Sequence, residues 1–121
     1  MAEVSKTCVI IESPFHGKDI FAHRTNLDYL QDCIRDSAYR GEAPYASHRM
    51  MPGALNESLP EERALGLACG YAWWDKADLI VFYEDLGWSA GMLAARDRAE
   101  RIGKPYIVRR IDENLSNRPT V

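Results

Sequence analysis

The sequence lacks the cysteine patterns of a metal-binding or disulfide-bonded protein. Its 121 residues include three cysteines, Cys8, Cys33 and Cys69, and neither a CxxC nor a CxxH spacing occurs among them. A zinc site is therefore not expected, and we predict no metal. Each cysteine lies among apolar residues, which predicts three buried free thiols in a reducing compartment.

The sequence also has little net charge and no long hydrophobic run. The formal net charge is −3 without a basic stripe, which argues against a nucleic acid polymer as the main partner. No apolar run approaches the roughly 20 residues of a membrane helix, and the short polar segment 1–6 is not a signal peptide. These absences predict a cytoplasmic protein that has no membrane partner.

Repeats and low-complexity segments are absent as well. The length fits one domain, and we expect a single domain over 1–121, with a core at 7–110 and a polar tail at 112–121.

Apolar runs alternate with segments of helical spacing along the chain. Four segments predict strands: Thr7–Glu12, Glu42–Ala46, Asp78–Tyr83 and Tyr106–Arg109. Three segments predict helices: Thr25–Tyr39, a second helix from Ser58 or Pro60, and Ser89–Ile102. The two longest strands are apolar throughout, which is typical of parallel strands buried on both faces. The order predicts an α/β fold, a Rossmann-like open parallel sheet of about four or five strands with helices on both faces.

Several details of the helices follow from capping and periodicity. Thr25 is expected to cap the first helix, and residues 47–59, which contain Pro52 and Gly53, are expected to form a loop. In the third helix the inward residues are predicted to be Met92, Ala95, Ala99 and Ile102.

The second helix combines an apolar stripe with two glycines. Its buried face is predicted to consist of Leu65, Cys69, Ala72 and Trp73. Gly66 and Gly70 each cost about 1 kcal/mol relative to alanine, so a packing or ligand reason is expected. Adjacent Trp73 and Trp74 cannot share a face. One is expected in the core and the other at an exposed site that suits a subunit interface.

Two loops leave the carboxyl ends of predicted strands, where open parallel sheets bind ligands. One is 12–17, after the first strand, and the other is 84–91, after the third. In the second loop Ser89 is placed as an N-cap. The free N–H groups of Ala90, Gly91 and Met92 would then suit a phosphate.

Gly87 and Gly91 would let such a ligand approach the backbone closely. The alternative interpretation of this segment is a capped helix start that follows a turn. The pattern is neither a Walker motif nor GxGxxG.

Acidic, imidazole and aromatic side chains near these loops supply candidate chemistry. Glu12 and Asp85 could bind sugar hydroxyls, act as nucleophile or act as general acid. Alternatively, they are solvated loop residues. His48 could meet the ligand at the same edge, or be structural. The candidate stacking platforms for a base are Phe15, Tyr45 and Trp88.

Several of these segments resemble a known family. The loop Ser13-Pro14-Phe15-x-Gly17 after the first strand resembles the first loop of the nucleoside 2-deoxyribosyltransferase-like superfamily. Residues 77–82, with the turn and helix that follow, and residues 103–105 are also similar to it. The resemblance covers about 7–110. Segments 43–48, 60–66 and 85–92 look like an uncharacterised branch that is common in phage and bacterial genomes.

The resemblance implies a pocket for nucleosides or their 5′-monophosphates, cleavage or transfer at the N-glycosidic bond, and homo-oligomers. It implies no separate cofactor. Together with the loop positions it assigns ligand binding to ten residues: Ser13, Pro14, Phe15, Gly17, His48, Gly87, Trp88, Ser89, Gly91 and Met92.

The sequence departs from the family where the catalytic acids would stand. Ala90 and Ala95 occupy positions where related sequences carry an acid, and Gly70 falls where an aspartate is expected on the preceding helix. A covalent glycosyl ester needs a carboxylate at the anomeric carbon. The standard nucleophile is therefore missing.

Three hypotheses follow. The first is a nucleoside- or nucleotide-binding protein without glycosidic chemistry. The second is an active N-glycosidase or deoxyribosyltransferase that uses a displaced carboxylate, with Glu12 and Asp85 as candidates. The third is a protein-interaction module that reuses the fold.

Overall fold

The computed structural model describes residues 5–111 and contains a four-stranded parallel sheet. The strands are β1 (Cys8–Glu12), β2 (Ala43–Tyr45), β3 (Leu79–Tyr83) and β4 (Tyr106–Arg109). Their order across the sheet is β2-β1-β3-β4, and all three neighbouring pairs are parallel. The predicted Rossmann-like α/β class is confirmed, whereas the predicted polar tail 112–121 lies outside the described residues.

Four α-helices connect the strands: α1 (Ile20–Tyr39), α2 (Ser47–Ala54), α3 (Pro60–Ala72) and α4 (Ala90–Ile102). A short 3₁₀ turn at Trp73–Asp75 follows α3. Within residues 5–111, no helix combines the length and the apolar character that crossing a membrane requires.

The core lies on both faces of the sheet because β1 and β3 carry apolar side chains on both sides. On one face Ile11 and Val81 pack with Leu30 and Cys33 of α1. On the other face the core contains seven residues from β1, β3, α4 and the 3₁₀ turn: Ile10, Ile80, Phe82, Met92, Ala95, Ala99 and Trp74. Even-numbered residues of β1 therefore point toward α4.

The N-cap of helix α1 lies six residues before Thr25, the predicted cap. Its N-cap is Asp19, whose side chain accepts a hydrogen bond from the Ala22 N–H at 2.8 Å. Thr25 lies inside the helix, and its hydroxyl donates to the Phe21 carbonyl. Asp19 precedes the apolar stripe by two turns, so periodicity alone placed the start too late.

The expected loop at 47–59 was wrong in its first half, because residues 47–54 form α2. Pro52 lies inside this helix, where it removes one backbone donor. Helix α2 packs on α3: a Cβ built at Gly70 would lie 2.6 Å from Ser47 Oγ, and one at Gly66 would lie 3.5 Å from Leu55 Cδ1. Packing of α2 against the glycines of α3 therefore outweighs the local tendency of Pro52-Gly53 to form a turn.

The predicted buried face of α3 was also wrong. Leu65 is 52% exposed and Trp73 is 51% exposed, whereas Gly70 and Trp74 are buried. The glycine side of α3 turns inward because only that side permits the close approach of α2. The prediction that one of the paired tryptophans is buried and the other exposed is confirmed.

The remaining burial predictions are partly confirmed. Met92, Ala95 and Ala99 are buried, but Ile102 is 50% exposed at the end of α4. Among the cysteines, only Cys33 is fully buried, and Cys8 is exposed. Cys8 begins β1 at the amino edge of the sheet, beyond the reach of the covering helices.

Candidate functional site

A pocket of about 480 Å³ lies at the carboxyl ends of β1 and β3. From β1 the chain proceeds to β2 on one side of the sheet, whereas β3 pairs with β1 on the other side. The loops after β1 and β3 therefore diverge, which is the arrangement that opens a ligand crevice in α/β sheets. Helices α2, α3 and α4 complete the walls.

The N-terminus of α4 forms one wall of this pocket. Ser89 is the N-cap, and its Oγ accepts a hydrogen bond from the Met92 N–H at 3.2 Å. The N–H groups of Ala90 and Gly91 have no acceptor within the helix, because the first turn lacks preceding carbonyls. Both residues line the pocket, so the positive end of the helix dipole faces it.

Glu12 ends β1 inside the pocket, on the sheet face shared with Ile10. None of the described residues donates a hydrogen bond to its carboxyl group. Burial raises the pKa of Glu12 to about 8, so the group is mostly protonated at pH 7. A protonated carboxyl group is a hydrogen-bond donor and a potential general acid, and it is a weak nucleophile.

Ser13 and His48 form a polar pair beside Glu12. Ser13 Oγ lies 3.0 Å from His48 Nε2, and Ser13 is buried. Burial lowers the pKa of His48 to about 4, so its ring is neutral at pH 7. The Phe15 ring stands nearly perpendicular to the His48 ring, with centroids 6.1 Å apart.

A polar contact between two side chains crosses the mouth of the pocket. His16 Nε2, in the β1–α1 loop, lies 3.0 Å from Glu57 Oε2 in the connection between α2 and α3. Both residues line the pocket, and so does Arg63 at the start of α3. Sequence reasoning missed Glu57 and Arg63 because it interpreted α2 as loop. The four-residue spacing of Gly66 and Gly70 was the one signal that another element approaches here.

Asp85 lies outside the pocket, although the sequence made it a candidate acid. Its carboxylate accepts a hydrogen bond from the Tyr29 hydroxyl at 2.6 Å and from the Ile111 N–H at 3.1 Å. These contacts are on the α1 face of the sheet, away from α4. Asp85 thus ties the loop after β3 to α1 and to the end of β4.

Four other predicted ligand residues also lie outside the pocket lining. Gly17 packs so closely on α1 that a Cβ would collide with the His23 backbone. Gly87 adopts a left-handed φ of 87° in the turn after β3. The Trp88 ring stacks on Phe82 at 5.0 Å, and Pro14 is buried.

Tyr45, a third predicted stacking platform, packs on Trp73 instead, with centroids 5.4 Å apart. The structure brings together seven of the twelve predicted site residues: Glu12, Ser13, Phe15, His48, Ser89, Gly91 and Met92.

The positions that lack the expected acids face the pocket. Ala95 and Gly70 both line it. Alanine and glycine have no carboxylate, so these two positions lack the acids that the resemblance implies there. The acids among the lining residues are Glu12 and Glu57. Of these, Glu57 is paired with His16 at the mouth, which leaves Glu12 as the acid available to a ligand.

The fold and site define a parallel α/β protein with a pocket at the switch point of its sheet. A family model described as a domain of unknown function (DUF7768) matches residues 7–109, and the chain belongs to this family. The match extends from just before β1 to the end of β4. No curated protein sequence matches the chain.

Proposed function

We propose that the protein binds a nucleoside or nucleotide in the switch-point pocket and lacks the standard glycosidic nucleophile. The observation that carries this proposal is the convergence of the α4 N-terminus and the Glu12 carboxyl group on one pocket. The two resembling loops, 12–17 and 84–91, supply these groups.

The pocket matches such a ligand in size and in the distribution of polar groups. Its volume of about 480 Å³ lies within the usual range for small-molecule sites. An anionic group would bind the N–H groups of Ala90 and Gly91. The protonated Glu12 would not repel that anion, and Met51 and Pro52 offer apolar surface to a base.

The test removes one backbone donor while the helix stays intact. Ala90→Pro deletes the N–H at the first helical position, where proline is favoured, and Ser89 already has the extended backbone that a following proline requires. Ala90→Val adds bulk but keeps the N–H. Calorimetry with nucleosides and mono-, di- and cyclic nucleotides measures binding to each chain.

We expect the wild-type chain and Ala90→Val to bind a phosphorylated member of this panel. Ala90→Pro should bind it about 10- to 100-fold more weakly, because a hydrogen bond to a charged group contributes about 1.5–3 kcal/mol. Failure of the wild-type chain to bind any member at millimolar concentration contradicts the proposal and favours the protein-interaction module.

The raised pKa of Glu12 favours a second candidate function, N-glycosidic hydrolysis without a covalent intermediate. The Glu12 proton would pass to the leaving base as the C1′–N bond breaks and its electron pair moves to the base. Water would add to C1′, and its proton would return to the Glu12 carboxylate. Asp85 is not the displaced carboxylate in this candidate, because Tyr29 and the Ile111 N–H hold it on the other face.

Chromatography of the same incubations separates the two functions. A binding protein leaves every nucleotide intact. A hydrolase releases free base, and Glu12→Gln should abolish the release while binding persists. Release that survives Glu12→Gln would exclude Glu12 as the acid.

Other parts of the proposal rest on the sequence. They are membership of the nucleoside 2-deoxyribosyltransferase-like superfamily, a small-molecule partner in place of a nucleic acid polymer, a cytoplasmic location and a homo-oligomeric state. The absence of a basic stripe supports a small-molecule partner over a nucleic acid polymer. The odd number of cysteines, without a metal-binding spacing, supports a cytoplasmic location.

A further inference from the structure

Three polar side chains form a cluster on one wall of the pocket, between the end of β1 and the start of α2. We define the β1–α2 cluster as Glu12, Ser13 and His48, all of which line the pocket. Ser13 Oγ and His48 Nε2 lie 3.0 Å apart, so two chain segments that are distant in sequence join here. The phosphate site at the α4 N-terminus involves none of these three side chains.

The β1–α2 cluster has more hydrogen-bonding capacity than the described residues use. The contact with His48 occupies one position of the Ser13 hydroxyl group, which has one donor and two acceptor positions in all. Within residues 5–111 no group donates a hydrogen bond to the Glu12 carboxyl group. Polar groups in buried sites normally have hydrogen-bond partners, so the cluster suits a ligand that brings polar groups of its own.

The β1–α2 cluster contains no positively charged group that would attract a phosphate. Its one basic side chain, His48, is neutral at pH 7, because burial lowers its pKa to about 4. The arginine among the lining residues, Arg63, lies on α3 and is exposed. Uncharged hydroxyl groups therefore fit the cluster, whereas an anionic group fits the free N–H groups of α4.

The position of Glu12 is suited to the hydroxyl groups of a ribose. In dinucleotide-binding α/β folds, an acidic side chain at the ligand-binding edge of the sheet binds the ribose 2′-hydroxyl group. Glu12 stands at this edge because it ends β1. Its two oxygens can bond two hydroxyl groups on neighbouring carbons in either protonation state. The carboxylate accepts both bonds, and the carboxylic acid accepts one and donates one.

The order of groups along the pocket agrees with the order of groups in a nucleotide. Glu12 ends β1, which is the neighbour of β3, and the chain that leaves β3 leads to the α4 N-cap, Ser89. On the other side, α2 places His48 beside the cluster and carries Met51 and Pro52 one turn further on. The cluster thus lies between a phosphate site and an apolar surface, where the sugar of a nucleotide would lie.

We propose that the β1–α2 cluster binds the 2′- and 3′-hydroxyl groups of a ribose, so that the pocket selects ribonucleotides over 2′-deoxyribonucleotides. Glu12 bonds both hydroxyl groups, and Ser13, which His48 orients, bonds one of them. A 2′-deoxy ligand leaves part of the cluster without a partner in a buried site, and this cost produces the selectivity. The inference rests on the proposed function and names the sugar of its ligand, in contrast to the deoxyribose that the resemblance implies.

The experiment compares the two sugars on the same base. Calorimetry is performed with the adenine, guanine, cytosine and uracil ribonucleoside 5′-monophosphates and with their 2′-deoxy counterparts. For the base that binds best, the wild-type chain should bind the ribose form about 10- to 100-fold more tightly than the deoxy form, because one or two hydrogen bonds in a buried site are lost.

Two variants assign this ratio to the cluster. Ser13→Ala and Glu12→Leu should each reduce the affinity for the ribose form and leave the affinity for the deoxy form nearly unchanged. A merely structural loss would weaken the binding of both forms equally. Ser58→Ala is the matched control, because Ser58 is exposed and lies outside the pocket lining, and it should retain the wild-type ratio.

The possible failures of the two proposals are distinguishable. Equal wild-type affinity for both sugars, tighter binding of the deoxy form, or a ribose preference that survives both Ser13→Ala and Glu12→Leu overturns the selection of ribose and leaves nucleotide binding intact. If the wild-type chain binds no nucleotide in the panel, the proposed function fails, and the inference about its sugar fails with it.

Discussion

Glu12 ends the central strand β1 and lines the pocket. None of the described residues donates a hydrogen bond to its carboxyl group. Burial raises its pKa from 4.5 to about 8, and this shift links protonation to folding. Below pH 4.5 both the folded and the unfolded chain hold the proton. As the pH rises from about 4.5 to 8, only the unfolded chain releases it, so the folded state loses stability.

We therefore expect Glu12→Gln to be more stable than the wild-type chain above pH 8, by a few kcal/mol. The two chains should converge near pH 4.5. The pKa of His48 lies near 4 in the folded chain, so its protonation lowers the free energy of unfolding below pH 6.5. This loss is the same in both chains and cancels in the difference between them.

Urea unfolding at pH 5 and pH 9 measures this difference. Glu57→Gln serves as the control, because Glu57 is paired at the pocket mouth. A Glu12→Gln advantage that is the same at both pH values would show that the Glu12 carboxyl group is not buried in the folded chain.

The sequence predicted which residues lie in the pocket where the direction of the strand or helix alone determines their position. Glu12, Ser13 and Ser89 follow strands or start a helix, so the carboxyl edge of a parallel sheet brings them together. Asp85 also follows a strand, but its loop turns toward α1, where Tyr29 holds it. Nothing in the local sequence distinguishes these two directions, because the partner lies 56 residues away.

At the level of elements, the contact between α2 and α3 shapes the pocket. Gly66 and Gly70 lie on the same side of α3 but at different distances from α2. A Cβ at Gly70 would meet Ser47 Oγ at 2.6 Å and Ser47 Cβ at 3.1 Å, whereas a Cβ at Gly66 would make ordinary contacts with Leu55 and Met51. The two glycines thus form a matched pair for substitution.

We expect Gly70→Ala to destabilise the protein by about 1–3 kcal/mol, because the extra methyl group overpacks the contact. Gly66→Ala should be neutral or stabilising by up to about 1 kcal/mol, because alanine is the better helix former. Thermal unfolding of both variants measures whether Gly70→Ala is less stable than Gly66→Ala. Equal losses of stability would contradict the packing described for α2.

Elements with their own start and stop signals were predictable, and elements that depend on a distant surface were not. Helix α4 has Ser89 before it and Gly103 after it, with Gly103 at a left-handed φ of 71°. Helix α2 has no side-chain N-cap hydrogen bond and contains Pro52. Its stability comes from packing on α3, which local propensity does not encode.

For the whole molecule, the alternation of apolar strands and helices was sufficient to predict the parallel sheet. The strand order then produces the switch point, since β2 and β3 flank β1 on opposite sides. The outward orientation of α3 was not predictable, because its apolar residues surround the helix and periodicity selects no inner side.

The most direct test of ligand binding at the switch point is an amide chemical-shift titration of the ¹⁵N-labelled chain with a nucleoside 5′-monophosphate. We expect saturable shifts concentrated at the backbone amides of Ala90, Gly91 and Ser13, which line the pocket. A titration that leaves these amides unmoved, or that shifts amides only at surfaces away from the pocket, would contradict it.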